Sequence, residues 1–307
     1  MLTRTTPFLR FFRVAVGILW SLILMTGSVR ADYTGDEPLT VAAINGVDIA
    51  YKSVGPDDSP AVLMVMGLTG SHRLWGQDIV QGLLDNGYRV ILFDNRDTGD
   101  SARLDALGTP VLWWEMLKNA LGFEVNAPYS LRDMAQDAIG LMDVLNLSHA
   151  HVVGASMGGM IAQIIAAEHP QRTQSLVSIM STTGAPHLPQ PEEQAADGLL
   201  GIADTEGDAS SELNEMGIYP EAMPRQLMAI VAAGDRSAQV QTIAVPTLVL
   251  HGADDTLLPP PHGEHTHALI DGSTYVVYPD MSHKLPAAVV PEVVDAMHGL
   301  FSSVQGD

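Results

Sequence analysis

His151-Val152-Val153-Gly154-Ala155-Ser156-Met157-Gly158-Gly159 is the stretch whose reading decides the fold. A short apolar run with the length and composition of a buried strand enters Gly-x-Ser-x-Gly and leaves straight into a periodic segment over 157–169. Strand, sharp turn and helix, in that order, are the setting in which such a serine is lifted off the end of a sheet. The glycines are needed because the turn strains the serine backbone and leaves no room for a Cβ against the neighbouring strand and helix. The Ser156 hydroxyl then lies at a helix N-terminus, where free N–H groups and the peptide dipoles favour a developing negative charge. Ser156 is the candidate nucleophile.

A serine hydroxyl is not acidic enough to ionise unaided at neutral pH. A histidine must take its proton, and an acid must hold that histidine in the right tautomer. With this elbow the expected chain order is Ser, acid, His. Pro246-Thr-Leu-Val-Leu-His251-Gly252-Ala-Asp254-Asp255 is a late strand with two acids at its exit. Asp255, four residues before Pro259, is the preferred acid, and Asp254 is expected to point elsewhere. The strand ending at Ser181-Thr182 offers no carboxylate. His283 lies in the loop after the last strand and is the candidate base. The oxyanion needs two backbone N–H donors, one from the residue after the nucleophile and one from the loop after the third strand. Met157 and Leu68 fill those places.

The other histidines are expected to do other work. His251 should be packed at a strand end, and His298 should be solvated on the C-terminal helix. His262, Glu264, His265 and His267 form a cluster, but on a helix His267 turns away from the face shared by His262 and His265. The string is not His-Glu-x-x-His, so no metal site is expected.

Outward from the elbow, strand-like and helix-like segments alternate, which predicts a mostly parallel central sheet with helices on both faces. Residues 39–47 and 48–54 read as an antiparallel opening turned near Asn45-Gly46, and 61–66, 88–93, 149–154, 176–180, 246–251 and 273–278 read as buried strands. Helices are expected over 131–145, 157–169 and 291–301. Two excursions, 104–127 and 184–222, break the rhythm and are expected to form a small helical lid or cap. The first carries Trp113-Trp114, which could line an acyl pocket but at helical spacing is expected to be ordinary packing.

Composition narrows the function classes. With 307 residues, 46% apolar, the chain can bury one large core. A formal charge of −21 opposes nucleic acid and anionic membrane surfaces as partners. The absence of cysteine excludes disulfides, thiolate chemistry and zinc–thiolate sites. At the N-terminus Arg4, Arg10 and Arg13 precede the apolar run Val14 to Met25, and Val29-x-Ala31 supplies small residues at a peptidase site. That is the order of a secretory signal over 1–31, too short in its apolar part to span a bilayer, followed by a catalytic domain over 32–307. Cleavage removes four of the 15 basic residues and none of the 36 acids, leaving a charge of −25. The expectation is a periplasmic or secreted enzyme, with an uncleaved N-terminal anchor as the alternative and the only membrane attachment.

Five strings together resemble one family: Val65-Met-Gly67 followed by Trp75, Phe93-Asp94-Asn-Arg96-Asp97-Thr-Gly99-Asp-Ser101, Gly154-Ala-Ser156-Met-Gly-Gly159, Pro246-Thr-Leu-Val-Leu-His-Gly252 and Met281-Ser-His283-Lys-Leu-Pro286. The chain resembles the α/β-hydrolase-fold family over nearly all of residues 32–307, in particular aclacinomycin methylesterase-like esterases and lipases and haloperoxidase-like hydrolases. The resemblance implies a Ser156, Asp255, His283 triad with Leu68 and Met157 as oxyanion donors. The expected reaction is hydrolysis of a small-molecule carboxylic ester without a cofactor, an ester being favoured over an amide because an alkoxide leaves more easily and nothing in the chain resembles an amine-binding acidic pair. The Asp94-Asn-Arg96-Asp97 turn is expected to be structural. A cofactor-free haloperoxidase or perhydrolase and a carbon–carbon bond hydrolase would use the same triad. A non-catalytic binding protein on this scaffold is the alternative of another class. Residues 184–222 match no specificity motif, and in this fold the cap selects the substrate.

Overall fold

The computed structural model describes residues 39–205 and 207–305. The first half of this region runs β1 (Thr40–Ile44), β2 (Val47–Val54), β3 (Ala61–Val65), α1 (Gln77–Asp85), β4 (Arg89–Phe93), α2 (Leu112–Ala120), α3 (Leu131–Val144), β5 (Ala150–Ala155) and α4 (Met157–Glu168). The second half runs β6 (Thr173–Ile179), α5 (Glu193–Leu200), α6 (Asp208–Glu215), α7 (Met223–Ala233), α8 (Ser237–Val240), β7 (Thr247–Gly252), α9 (Pro261–Leu269), β8 (Thr274–Tyr278) and α10 (Val290–Gln305). Eight strands form one sheet in the order β1-β2-β4-β3-β5-β6-β7-β8. β2 pairs antiparallel with both neighbours, and every pairing from β4 to β8 is parallel.

The alternation of side chains along a strand divides the core into two layers. Ala61, Leu63 and Val65 join α3 and α4 on one face, and Val62, Met64 and Met66 join α1 and α10 on the other. Strands buried on both faces have no polar side to alternate, which is why they read as continuous apolar runs. α3 starts where the chemistry of a capping box places it: the Ser130 hydroxyl accepts from the Asp133 N–H, and the Asp133 carboxylate accepts from the Ser130 N–H.

The expectations for β6 and His298 need correction. β6 begins at Thr173 rather than 176, because Thr173 and Ser175 are buried and pair with Ala150 and His151; their polar side chains conceal strand from a pattern read on hydropathy. His298 is not solvated: it is half-buried, with its Nδ1 at 2.9 Å from the Tyr88 hydroxyl.

The two excursions lean on the loops leaving the sheet. Gly99, after β4, bonds Gly217 and accepts from the Tyr219 hydroxyl, and Thr256, after β7, accepts from the Glu192 N–H. The turn Asp94-Asn95-Arg96-Asp97 is the junction between these pieces. Asp94 accepts from the His72 and Asp100 N–H groups, Arg96 forms a two-pronged pair with Asp137 on α3, and Asp97 does the same with Arg225 on α7. The expectation that Trp113 and Trp114 are ordinary packing fails, since they are 70% and 49% exposed. The N-terminal segment read as a signal, residues 1–31, lies outside the described residues.

Candidate active site

β5 delivers Ser156 into a conformation that a non-glycine residue adopts only when the surroundings impose it, φ 55° and ψ −121°. The surroundings do so through four hydrogen bonds: the Ser156 N–H donates to the Ile179 carbonyl, and the Ser156 carbonyl accepts from the Ser181 hydroxyl and the Gly159 and Met160 N–H groups. Gly158 is obligatory here, because a Cβ on it would lie 2.0 Å from the Val65 carbonyl oxygen. Gly67 has a different role. A Cβ there would sit 3.0 Å from Ser156 Cβ and 3.6 Å from Oγ, filling the space beside the hydroxyl.

His283 is brought to Ser156 from the loop after β8, with Nε2 at 2.9 Å from Oγ. Its Nδ1 lies 2.8 Å from Asp255 Oδ2, and the other oxygen of Asp255 accepts from the Leu257 and Leu258 N–H groups at 3.0 and 2.8 Å. Those bonds orient the carboxylate, whose side chain is shielded from water while the His283 ring stays 20% exposed. With Nδ1–H donated to Asp255, the Nε2 lone pair faces the hydroxyl, which is the tautomer a general base needs. Asp254, one residue earlier, is exposed and its N–H bonds the Met281 carbonyl. The structure thus brings Ser156, His283 and Asp255 into one line and leaves Asp254 out of it.

Met157 is the first residue of α4, and Leu68 follows Gly67 beside the nucleophile. The loop carrying Leu68 is pinned on both sides. The Asn95 amide donates to the Met66 carbonyl at 2.9 Å, and Thr69, at φ 59°, donates its N–H to Gln226 Oε1 at 2.8 Å. Gln226 is fully buried on α7, and its Nε2 donates to the Arg96 carbonyl and the Thr98 hydroxyl. Sequence reading singles out neither Asn95 nor Gln226 for the site. Asn95 lies within a string taken as structural, and Gln226 meets Thr69 across 157 positions of chain with no local pattern to mark it.

The histidine cluster disperses. His262 is held between the Thr182 hydroxyl and the Pro189 carbonyl, His265 faces Ser237, and His267 faces Ser273. Among the described residues no group of three or more His, Cys, Asp or Glu is arranged to hold a metal ion. His251 packs behind Asp255. Its Nε2 donates to the Leu258 carbonyl at 2.7 Å and stands 3.5 Å from Asp255, and burial pushes its pKa down.

A family model described as alpha/beta hydrolase fold matches residues 60–209. Rhodomycin D methylesterase from Streptomyces sp. (strain C5) is 28% identical over 300 residues, covering 82% of this chain and 94% of the relative. Two solved structures share the fold. The enol-lactonase from Burkholderia xenovorans LB400 has a TM-score of 0.63 at 22% identity, over 87% of this chain and all of the other. The meta-cleavage product hydrolase from Pseudomonas fluorescens IP01 has a TM-score of 0.64 at 20% identity, over 86% and 97%.

Proposed function

Since the chain belongs to the α/β-hydrolase-fold family, we propose that it hydrolyses small-molecule carboxylic esters through an acyl-enzyme on Ser156. The observation that carries this reading is the continuous relay from Ser156 Oγ through His283 to Asp255, with links of 2.9 and 2.8 Å. Ser156 Oγ attacks the ester carbonyl as its proton passes to His283 Nε2. His283 then gives that proton to the departing alkoxide. A water enters, loses a proton to His283 and attacks the acyl carbon, and the proton returns to Ser156 as the acid leaves. Asp255 stays ionised and stabilises the imidazolium that forms twice in the cycle. The Met157 and Leu68 N–H groups hold the oxyanion, the first at a helix N-terminus and the second in a loop whose neighbouring amide is fixed by Gln226. Likeness to a methylesterase supports an ester over an amide. The reaction uses only these groups and needs no cofactor. We place the enzyme outside the cytoplasm after cleavage behind Ala31, which N-terminal sequencing of exported protein checks.

The test is turnover of a p-nitrophenyl ester series by wild type and Ser156→Ala, with a fluorophosphonate probe on both. Ester turnover and labelling that vanish together in the variant establish the reading. Wild type that labels at Ser156 but leaves every ester intact moves the chemistry to peroxide-dependent or carbon–carbon bond reactions. Wild type that does neither makes it a binding protein.

A further inference from the structure

α2 is built inside out. A helix on a protein in water turns its apolar stripe inward, yet the buried side chain of α2 is Glu115. Its outward face carries Trp113, Trp114, Met116 and Leu117, and the following turn adds Leu121 and Phe123, 65% and 64% exposed. Of the thirteen large hydrophobic residues exposed among the described residues, eight lie between Leu107 and Phe123. A contiguous exposed patch of this kind marks a surface that meets another phase or partner.

The arrangement is fixed rather than frayed. Gly122, at φ 77°, donates to the Asn119 carbonyl and Phe123 donates to the Lys118 carbonyl, the paired bonds of a Schellman turn. That turn brings Phe123 back to an open groove it shares with Trp114 and Leu117. On the inner side Glu115 accepts from the Asn126 N–H and from Lys118, both at 2.7 Å. The face is also joined to the site. Gly108 accepts from Arg225 and Thr109 donates to the Glu221 carbonyl, at the start of α7, where the next residue, Gln226, holds Thr69 beside the nucleophile.

We propose that this face docks the enzyme on a neutral or zwitterionic lipid surface, so that its esters are drawn from a lipid–water interface. Charge selects that occupant. Residues 107–124 carry Glu115 and Lys118, which neutralise each other, and Glu124 at the edge of the groove, within a chain of −21. An anionic surface would be repelled by the remainder of the molecule. A second copy would bring two such charges together across one nine-residue helix, about 13 Å long by its rise. That falls well short of the roughly 20–30 residues a side in a standard protein interface. A neutral headgroup layer imposes neither cost, and tryptophan rings favour that depth. The substrate half of this inference rests on the ester-hydrolase reading, and the docking half does not.

The test uses the full chain and phosphatidylcholine vesicles, part of the lipid brominated to quench tryptophan, with wild type, Trp113→Ser/Phe123→Ser and Ser156→Ala. Any binding through the apolar run Val14 to Met25 is common to all three and cancels in the comparison. Wild type and Ser156→Ala should partition alike, and the double variant at least tenfold more weakly. Its turnover of water-soluble p-nitrophenyl acetate should stay within twofold of wild type, while its rate on an emulsified long-chain ester should fall with partitioning. If the double variant loses its circular dichroism, Leu121→Ser, a single change at an exposed position, takes its place. Equal partitioning of wild type and variant overturns docking. So does a concentration-dependent dimer that the variant abolishes, which would make a second copy the occupant. Undiminished ester turnover by Ser156→Ala with partitioning intact would sink the catalytic reading and leave docking standing.

Discussion

Asp97 and Asp255 both leave the C-terminal end of a parallel strand with side chains shielded from water, yet they are compensated in opposite ways. Asp97 accepts two hydrogen bonds from Arg225, at 2.9 and 2.8 Å, one from the Tyr129 hydroxyl and one from the Leu104 N–H. The arginine is permanently charged, and burial beside the Asp97 charge raises the Tyr129 phenol far above its usual range, so every donor is fixed. Asp255 is met by two amides and by His283, whose charge depends on where the proton is. One carboxylate ties α7 to the sheet. The other, in the proposed mechanism, stabilises a charge that comes and goes. Burial alone does not separate a structural acid from a reactive one; the nature of the partner does.

Substitution of each acid by its amide should split that comparison most widely. Asp255→Asn keeps the shape but favours the wrong His283 tautomer, so kcat should fall by roughly 10,000-fold with the fold intact. Asp97→Asn leaves Arg225 buried with the half-exposed Asp105 as its remaining carboxylate partner among the described residues, which should cost about 3–5 kcal/mol in urea unfolding. Its folded fraction should still label with a fluorophosphonate at close to the wild-type rate. An Asp97 variant that stays stable but loses labelling would place both acids in the catalytic machinery and erase the distinction.

The next contrast lies within Gln226. Its acceptor oxygen holds Thr69, and its amide donors hold the Arg96 carbonyl and the Thr98 hydroxyl. If Gln226 positions the oxyanion loop, Gln226→Met should lower kcat by about 10- to 100-fold, below the loss expected for removing an oxyanion donor outright, and leave KM within threefold. Affinity for a trifluoromethyl ketone, which mimics the tetrahedral intermediate, should fall in step with kcat. Gln226→Glu restores an acceptor for Thr69 and should recover part of kcat. A variant that loses only thermal stability, with kcat per labelled site unchanged, would reduce Gln226 to a packing residue.

What was legible in the sequence was whatever the backbone period and the elbow encode locally. Strand, Gly-x-Ser-x-Gly and helix stand in unbroken succession, so residues 150–168 could be read from spacing alone. Asp255 over Asp254 was legible through the turn that ends at Pro259. The start of β6 was not, because Thr173 and Ser175 are polar residues buried by pairing with β5. Nor was the outward face of α2. Helical spacing of Trp113, Trp114 and Leu117 gives a stripe but not its direction, which is set by Glu115 turning inward to Asn126 and Lys118. Gln226 reaches the site only through tertiary contact, and no period in the chain points from α7 to Thr69.

The smallest effect concerns a histidine that must not take a proton. His151 lies on β5 five residues before the nucleophile, with Nδ1 at 2.8 Å from the Ser175 hydroxyl and its ring stacked on Phe301 at 4.2 Å. Burial, helped by His149, pushes its pKa down to about 4. In the unfolded chain the same ring titrates near 6.5, so the unfolded state binds the proton first as pH falls. The contribution of His151 to stability is complete above about pH 6.5, declines as pH drops toward 4 and is gone below that. Between pH 7 and pH 5.5 the loss from this one group should be about 1 kcal/mol. His251 and His262, also lowered by burial, steepen the decline in the same direction. His151→Phe/Ser175→Ala removes the ring and its partner together, so no buried hydroxyl is orphaned. Urea unfolding at the two pH values should show the variant losing about 1 kcal/mol less than wild type over that interval. An identical loss in both proteins would mean that His151 takes its proton as readily in the fold as in the unfolded chain, so that its burial beside Ser175 and Phe301 contributes nothing to the pH dependence.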